Sequence, residues 1–129
     1  MKKYFKVFGK NLFLTFTGGR LRTQFNIHGL NVYVPVFIGL KIRYFIARKR
    51  YENAEAALIQ QELRQGDNVI ELGGALGIIS KVIRNQIGNN AIHIVVEPNI
   101  DIIEVCKINA ENSEVIYAAI AYGTKTVSM

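Results

Sequence analysis

Residues 69–77 read Val69-Ile70-Glu71-Leu72-Gly73-Gly74-Ala75-Leu76-Gly77. A short apolar run ends in an acid and passes through a glycine-rich bend. The segment Ile78 to Ile87 follows, with Ile79, Val82, Ile83 and Gln86 at helical spacing. A strand that runs through glycines into a helix is the first turn of a βαβ unit, and in open α/β sheets that turn faces the ligand crevice. Glycine serves such a bend because a β-carbon would block either the sharp backbone turn or the close approach of a ligand. Gly73 and Gly77 fit these two needs, with Gly74 beside them.

Downstream, Ala91 to Val96 reads as a second apolar strand. Asn99 or Asp101 is placed to cap a helix running to about Ala110, and Val115 to Ala118 reads as a third strand. The order β-α-β-α-β predicts a parallel sheet of α/β class. Upstream, Asn53 to Gln65 carries apolar pairs four apart (Ala54 with Leu58, Ile59 with Leu63). Asn53 is suited to cap this helix and Gly66 to end it. The basic stretch Ala47 to Arg50 marks a boundary, which divides the chain into 1–50 and 51–129.

The first part reads as a small β-rich lead-in over residues 1–47. Leu21, Thr23, Phe25 and Ile27 alternate with Arg20, Arg22, Gln24 and Asn26, the period of a strand with one wet face. Leu12 to Thr17 would pair with it across Gly18-Gly19. Asn31 to Phe37 would form a third strand beyond Gly29, which puts His28 in a turn, and Pro35 places that strand near an edge.

At 129 residues, half of them hydrophobic and a fifth charged, the chain has ordinary globular composition. The longest apolar run, Val32 to Leu40, is far shorter than the ~20 residues that span a bilayer. Lys6 and Lys10 interrupt any signal-peptide core, so neither a membrane span nor a secretory signal is expected. The single cysteine, Cys106, excludes an intrachain disulfide framework or cysteine metal cluster and suits a cytoplasmic setting. Residues 1–51 carry eleven Lys or Arg and no acid, whereas residues 52–129 carry five against ten acids, so the parts have charges of +11 and −5. A basic half of this kind either meets an anionic partner or is a solvated face. The solvated face is preferred, because the cations alternate with apolar residues instead of forming one dense run, and a nucleic-acid partner is not expected.

The chemistry centres on Glu97. It follows the apolar strand twenty residues after Gly77, so its carboxylate should lie at the carboxyl end of the neighbouring strand, where an acid accepts hydrogen bonds from ribose hydroxyls. The glycines at 73, 74 and 77 do not fit the GxGxxG spacing of nicotinamide dinucleotide sites. The pattern is ExGxxxG. An anionic pyrophosphate wants bare amides at a helix N-terminus, whereas the zwitterionic methionine tail of S-adenosylmethionine tolerates an acid beside it, so Glu71 favours the latter cofactor. Without a ligand, the same glycines would be a tight turn and Glu97 a surface acid at a strand end.

From Tyr51 to about Val127 the sequence resembles the FkbM family of S-adenosylmethionine-dependent methyltransferases. The resemblance rests on Tyr51-Glu52 opening the helix, Gly66-Asp67 before the first strand, ExGxxxG, Glu97-Pro98-Asn99, Asn109 near a helix end, and Ala119 to Gly123 after the third strand. It implies a partial Rossmann-like sheet in strand order three-two-one, with Glu71 and Gly73 bordering the methionine moiety, Glu97 the ribose, the backbone near Ala119 the adenine, Pro98 as a further cofactor-binding residue, and Glu52 as a weaker contact at the methionine end. It implies O-methylation of a glycan or another small hydroxyl compound. The family usually carries Asn where this chain has Ala75. Its sheet has seven strands, so the resemblance also implies a shortened enzyme whose acceptor half is absent. A homodimer or second chain would then complete the sheet, and no catalytic residue is assignable. The rival reading is a non-catalytic interaction module with a basic face for an anionic partner. His93, in mid-strand, and Cys106, on an apolar helix face, are read as structural, and the lead-in aromatics as a small core.

Overall fold

The computed structural model describes Leu12 and residues 21–123. The strand expected over Leu12 to Thr17 and its Gly18-Gly19 turn lie outside these residues, Leu12 itself excepted. The chain divides into two compact units, Met1–Asn53 and Ala54–Met129.

In the first unit, β1 (Gln24–Ile27) pairs antiparallel with β2 (Leu30–Tyr33), Ile27 opposite Leu30. The two residues between them, His28 and Gly29, have φ of 53° and 78°. Two consecutive positive φ values are what a type I′ hairpin turn requires, and its twist matches that of the strands it joins. The His28 ring nitrogen Nε2 lies 2.9 Å from the Tyr51 carbonyl. Phe25 and Ile27 are buried, as the alternation requires, but the strand begins only at Gln24 and Leu21, read onto the same face, is exposed.

Two expectations for this unit are corrected. The third strand ends at Tyr33, because Pro35 has no N–H for a ladder and the chain turns at Val36 and Phe37. The lead-in is not purely β-rich either: α1 (Leu40–Ala47) is a helix of two turns. Arg43 explains why it packs here. Its side chain is fully buried, and its guanidinium donates to the carbonyls of Val34 (3.0 Å) and Pro35 (2.7 Å) and to that of Arg22. A planar cation with five donors satisfies several carbonyls where the strands have separated. Arg43 is therefore not part of a solvated face.

The second unit holds α2 (Asn53–Glu62), β3 (Val69–Leu72), α3 (Ile78–Ile87), β4 (His93–Glu97), α4 (Ile103–Asn109) and β5 (Glu114–Tyr117). The three strands are parallel and lie in chain order, Glu71 opposite Val95 and Glu97 opposite Tyr117. The protein is thus a mixed α/β structure with a three-stranded parallel sheet and a separate antiparallel hairpin. Val95, Cys106 and Ala110 form one apolar cluster with Val115, while Ile83, Ile87 and Ala91 form another with Ile59, Leu63 and Val69. Both clusters lie on the same sheet face, with α3 and α4. Residues on the opposite face, Ile70, Leu72 and Ile116, are exposed.

Gly88 ends α3 at φ 81°, its N–H returning to the Arg84 carbonyl, the geometry that glycine allows at a helix C-terminus. Neither Asn99 nor Asp101 caps α4. Its N-cap is Ile102, without a side-chain bond, and Asn99 Oδ1 instead accepts the N–H of Asp101 at 2.9 Å. Asparagine commonly makes such a turn with the backbone two residues on, and here this use displaces the cap. Among the described residues no helix is long and apolar enough to cross a membrane.

Candidate functional site

The carboxyl ends of β3 and β4 are tied together by the glycine bend. The N–H groups of Gly73 and Gly74 both donate to the Val96 carbonyl, at 2.7 and 3.2 Å, and Gly77 donates to Gly74 at 2.7 Å before α3 begins. The three glycines do different work. Gly73 has φ of 90° and open space where a β-carbon would stand. A β-carbon on Gly74 would lie 2.4 Å from Val95 Cγ1 and 2.7 Å from Cys106 Sγ. One on Gly77, at φ 72°, would lie 2.6 Å from the Cys106 carbonyl oxygen. Gly74 and Gly77 therefore let α4 approach the bend, and only Gly73 leaves room for something outside the protein. The sequence reading assigned close approach at Gly77 to a ligand; the neighbour is helix α4.

Glu97 is the last residue of β4 and is buried. One carboxylate oxygen accepts the N–H of Ala75 at 2.7 Å and the other the N–H of Asn99, also at 2.7 Å. The side chain thus joins the glycine bend to the turn after β4. A carboxylate offers about four lone-pair sites, so two acceptor positions remain for a further donor such as a diol. Ala75 takes φ of 46° to present its N–H, a left-handed conformation that asparagine adopts more readily than alanine. Beside Glu97, a cavity of about 360 Å³ is lined by Pro98, Asn99, Ile100 and Tyr117. Asn109, fully buried, donates its side-chain N–H to the Leu76 carbonyl at 2.7 Å and so anchors α4 to the bend.

Glu71 turns toward the helices. Its Oε2 lies 3.2 Å from His93 Nε2, and His93 Nδ1 lies 2.8 Å from the Ser113 hydroxyl. Ser113 also accepts a long contact of 3.4 Å from Arg84. A buried polar chain therefore runs under the sheet, with His93 as its middle member, in the structural part read for it. Ala119 follows β5 and is exposed. Glu52 belongs to the first unit, in a turn with φ of 51°, whereas the remaining candidates belong to the second. The structure thus groups Gly73, Gly74, Gly77, Glu97 and Pro98 at the carboxyl ends of β3 and β4, with Glu71 inside β3 and turned to His93. Ile100 and Tyr117 escaped the sequence reading, and Asn99 entered it as a helix cap and as part of Glu97-Pro98-Asn99 without a place in the site. Tyr117 is opposite Glu97 in register, so the rule that ligands sit at the carboxyl ends of strands would have found it.

Cys106 packs against the same bend. Burial pushes its thiol up from 9.0 to about 12, with the Glu71 and Glu97 carboxylates adding to the rise and the Ser80 hydroxyl opposing it. A protonated, buried thiol is a poor nucleophile. The shift also sets a pH dependence: the unfolded chain releases this proton near the ordinary thiol value and the folded chain does not, so stability is intact below about pH 9 and declines as pH rises toward 12. Alkaline urea titrations are expected to show this decline, and Cys106→Ala is expected to flatten it. An unchanged slope in the variant would assign the effect to other groups.

No protein-family model matches the sequence, and no curated protein matches it at a significant level.

Proposed function

We propose that residues 51–129 form the cofactor-binding portion of an S-adenosylmethionine-dependent methyltransferase of FkbM type, acting on a hydroxyl group of a glycan or similar compound. The observation that carries the reading is Glu97: a carboxylate at the carboxyl end of the middle strand, held by two backbone N–H groups with acceptor capacity left over, beside a cavity walled by Pro98, Ile100 and Tyr117. The remaining lone pairs suit the two hydroxyls of a ribose, and the apolar and aromatic walls suit the flat face of an adenine. Gly73, with open space at its α-carbon, suits the methionine end. The positive φ of Ala75 also gives a reason for the asparagine common at that place in the family. The Rossmann-like, three-two-one arrangement of the resemblance belongs to this proposal.

Bound S-adenosylmethionine supplies an electrophilic methyl group. The chain's own part is to hold the nucleoside at the sheet edge, since transfer demands an acceptor oxygen in line with the methyl group.

Calorimetric titration of the full chain with S-adenosylmethionine, beside a nicotinamide dinucleotide, tests the proposal. Saturable binding of the first and none of the second is expected. A folded protein that binds neither, or prefers the dinucleotide, overturns it.

A further inference from the structure

We propose that the tip of the first unit, made by Leu21, Val36, Phe37 and Leu40, is a docking surface for an anionic phospholipid bilayer. Among the described residues of this unit, three of the four are the most outward large apolar ones, with 83% of Leu21, 56% of Val36 and 64% of Phe37 exposed, and Leu40 is 39% exposed. The backbone brings them to one end. The β1–β2 pairing sets Gln24 opposite Tyr33, and the ladder continues beyond the strands, with the Val34 N–H bonded to the Thr23 carbonyl at 2.8 Å. Beyond that bond the strands part, and Arg43 holds the carbonyls of Arg22, Val34 and Pro35 together, so that Leu21 and Val36, each next to a held residue, stay at this end. Phe37 follows in the turn, and Leu40 opens α1.

The tip is fixed from behind. The buried Arg43 guanidinium grips the carbonyls of Arg22, Val34 and Pro35, and its carbon Cζ stands 5.4 Å from the Phe25 ring centre. The anchored backbone presents Val36 and Phe37 with their apolar side chains exposed. Phe37 was expected to join the small core with the other aromatics; its exposure is the departure that points outward.

Charge selects the partner. Arg22 and Lys41 are exposed beside the tip, Arg48, Lys49 and Arg50 are exposed at the far end of α1, and residues 1–51 contain no acid at all. An apolar tip flanked by two cations, on a unit whose first 51 residues carry no acid, matches the headgroup and acyl boundary of an anionic leaflet. Nucleic acid fits less well. Leu21, Val36 and Leu40 have no ring to stack on a base, and the Arg22 guanidinium already stacks on Phe25 at 5.2 Å.

The test uses the full chain, which contains no tryptophan, so that Phe37→Trp places a single reporter in the tip. Vesicles of two parts phosphatidylcholine to one part phosphatidylserine are expected to shift its emission to the blue, with less effect at high salt and none from phosphatidylcholine alone. The double variant Val36→Ser, Phe37→Ser is expected to bind such vesicles more weakly by on the order of tenfold, because the lost apolar area no longer enters the interface. Its fold is checked by circular dichroism; should it fail to fold, the emission shift of Phe37→Trp decides alone. Unmoved emission in the presence of anionic vesicles overturns the proposal, as does equal vesicle binding by a folded double variant. Tight binding of single-stranded RNA that shifts the emission as much as the vesicles do overturns it in favour of a general polyanion face.

Discussion

Gly77→Ala is expected to lower stability by about 3 kcal/mol or more, the sum of left-handed backbone strain and overpacking. The residue has φ of 72°, and its new β-carbon would stand 2.6 Å from the Cys106 carbonyl oxygen and 3.1 Å from Cys106 Cα. Both are backbone atoms of α4, so no side-chain rotation relieves the clash. The helix must move, and the buried bond from Asn109 to the Leu76 carbonyl moves with it. Gly73→Ala is the matching control: φ is 90° but nothing lies within 4 Å of the added carbon, so only the strain of roughly 1–2 kcal/mol remains. Urea denaturation of both variants followed by circular dichroism reads the difference. Equal losses would show that α4 does not approach the bend as closely as described.

The second large effect is at Glu97. In Glu97→Gln one amide oxygen still accepts a backbone N–H, but the NH₂ group faces the other donor, which is left part-buried and unpaired. The expected cost is about 1–3 kcal/mol of stability. The effect on the proposed cofactor is larger, because the same exchange puts a donor where a ribose hydroxyl needs an acceptor and removes the charge. A loss of affinity on the order of a hundredfold is expected. The titration is made well below the variant's unfolding midpoint, so that folding and binding are read apart. Reduced stability with undiminished S-adenosylmethionine binding would leave Glu97 as a brace for the glycine bend and remove it from the ribose contact.

The parallel unit was legible in the sequence because its signals are local. Val69 to Leu72 and Ile78 to Ile87 are recovered with the ends read for them, since glycine punctuation separates a short apolar run from a segment of helical spacing. The first unit was harder. Lys41, Ile42, Arg43 and Tyr44 alternate polar and apolar as a strand would, yet they are helical, with Arg43 buried against three carbonyls. That burial is a tertiary fact, which no window of sequence contains. At the site, Glu97 was legible from its distance to the glycines, but its two backbone bonds were not, because they depend on the left-handed turn at Ala75. Likewise Glu71 carries the motif, yet the His93 ring that receives it lies across the sheet and 22 residues away in sequence.

The order of the parallel sheet grades how long its amides remain closed to solvent. Among the described residues β4 has a neighbour on each side, whereas β3 and β5 have one each, and the bend that leaves β3 hangs on β4 through the Val96 carbonyl and Glu97. Hydrogen exchange should accordingly be slowest along His93 to Glu97 and quicker along the outer strands and the bend. The candidate site spans this gradient, with its carboxylate on the slow strand and its glycines on the fast turn. A ligand held between the two would act as a clasp, lending the protection of the middle strand to the turn beside it.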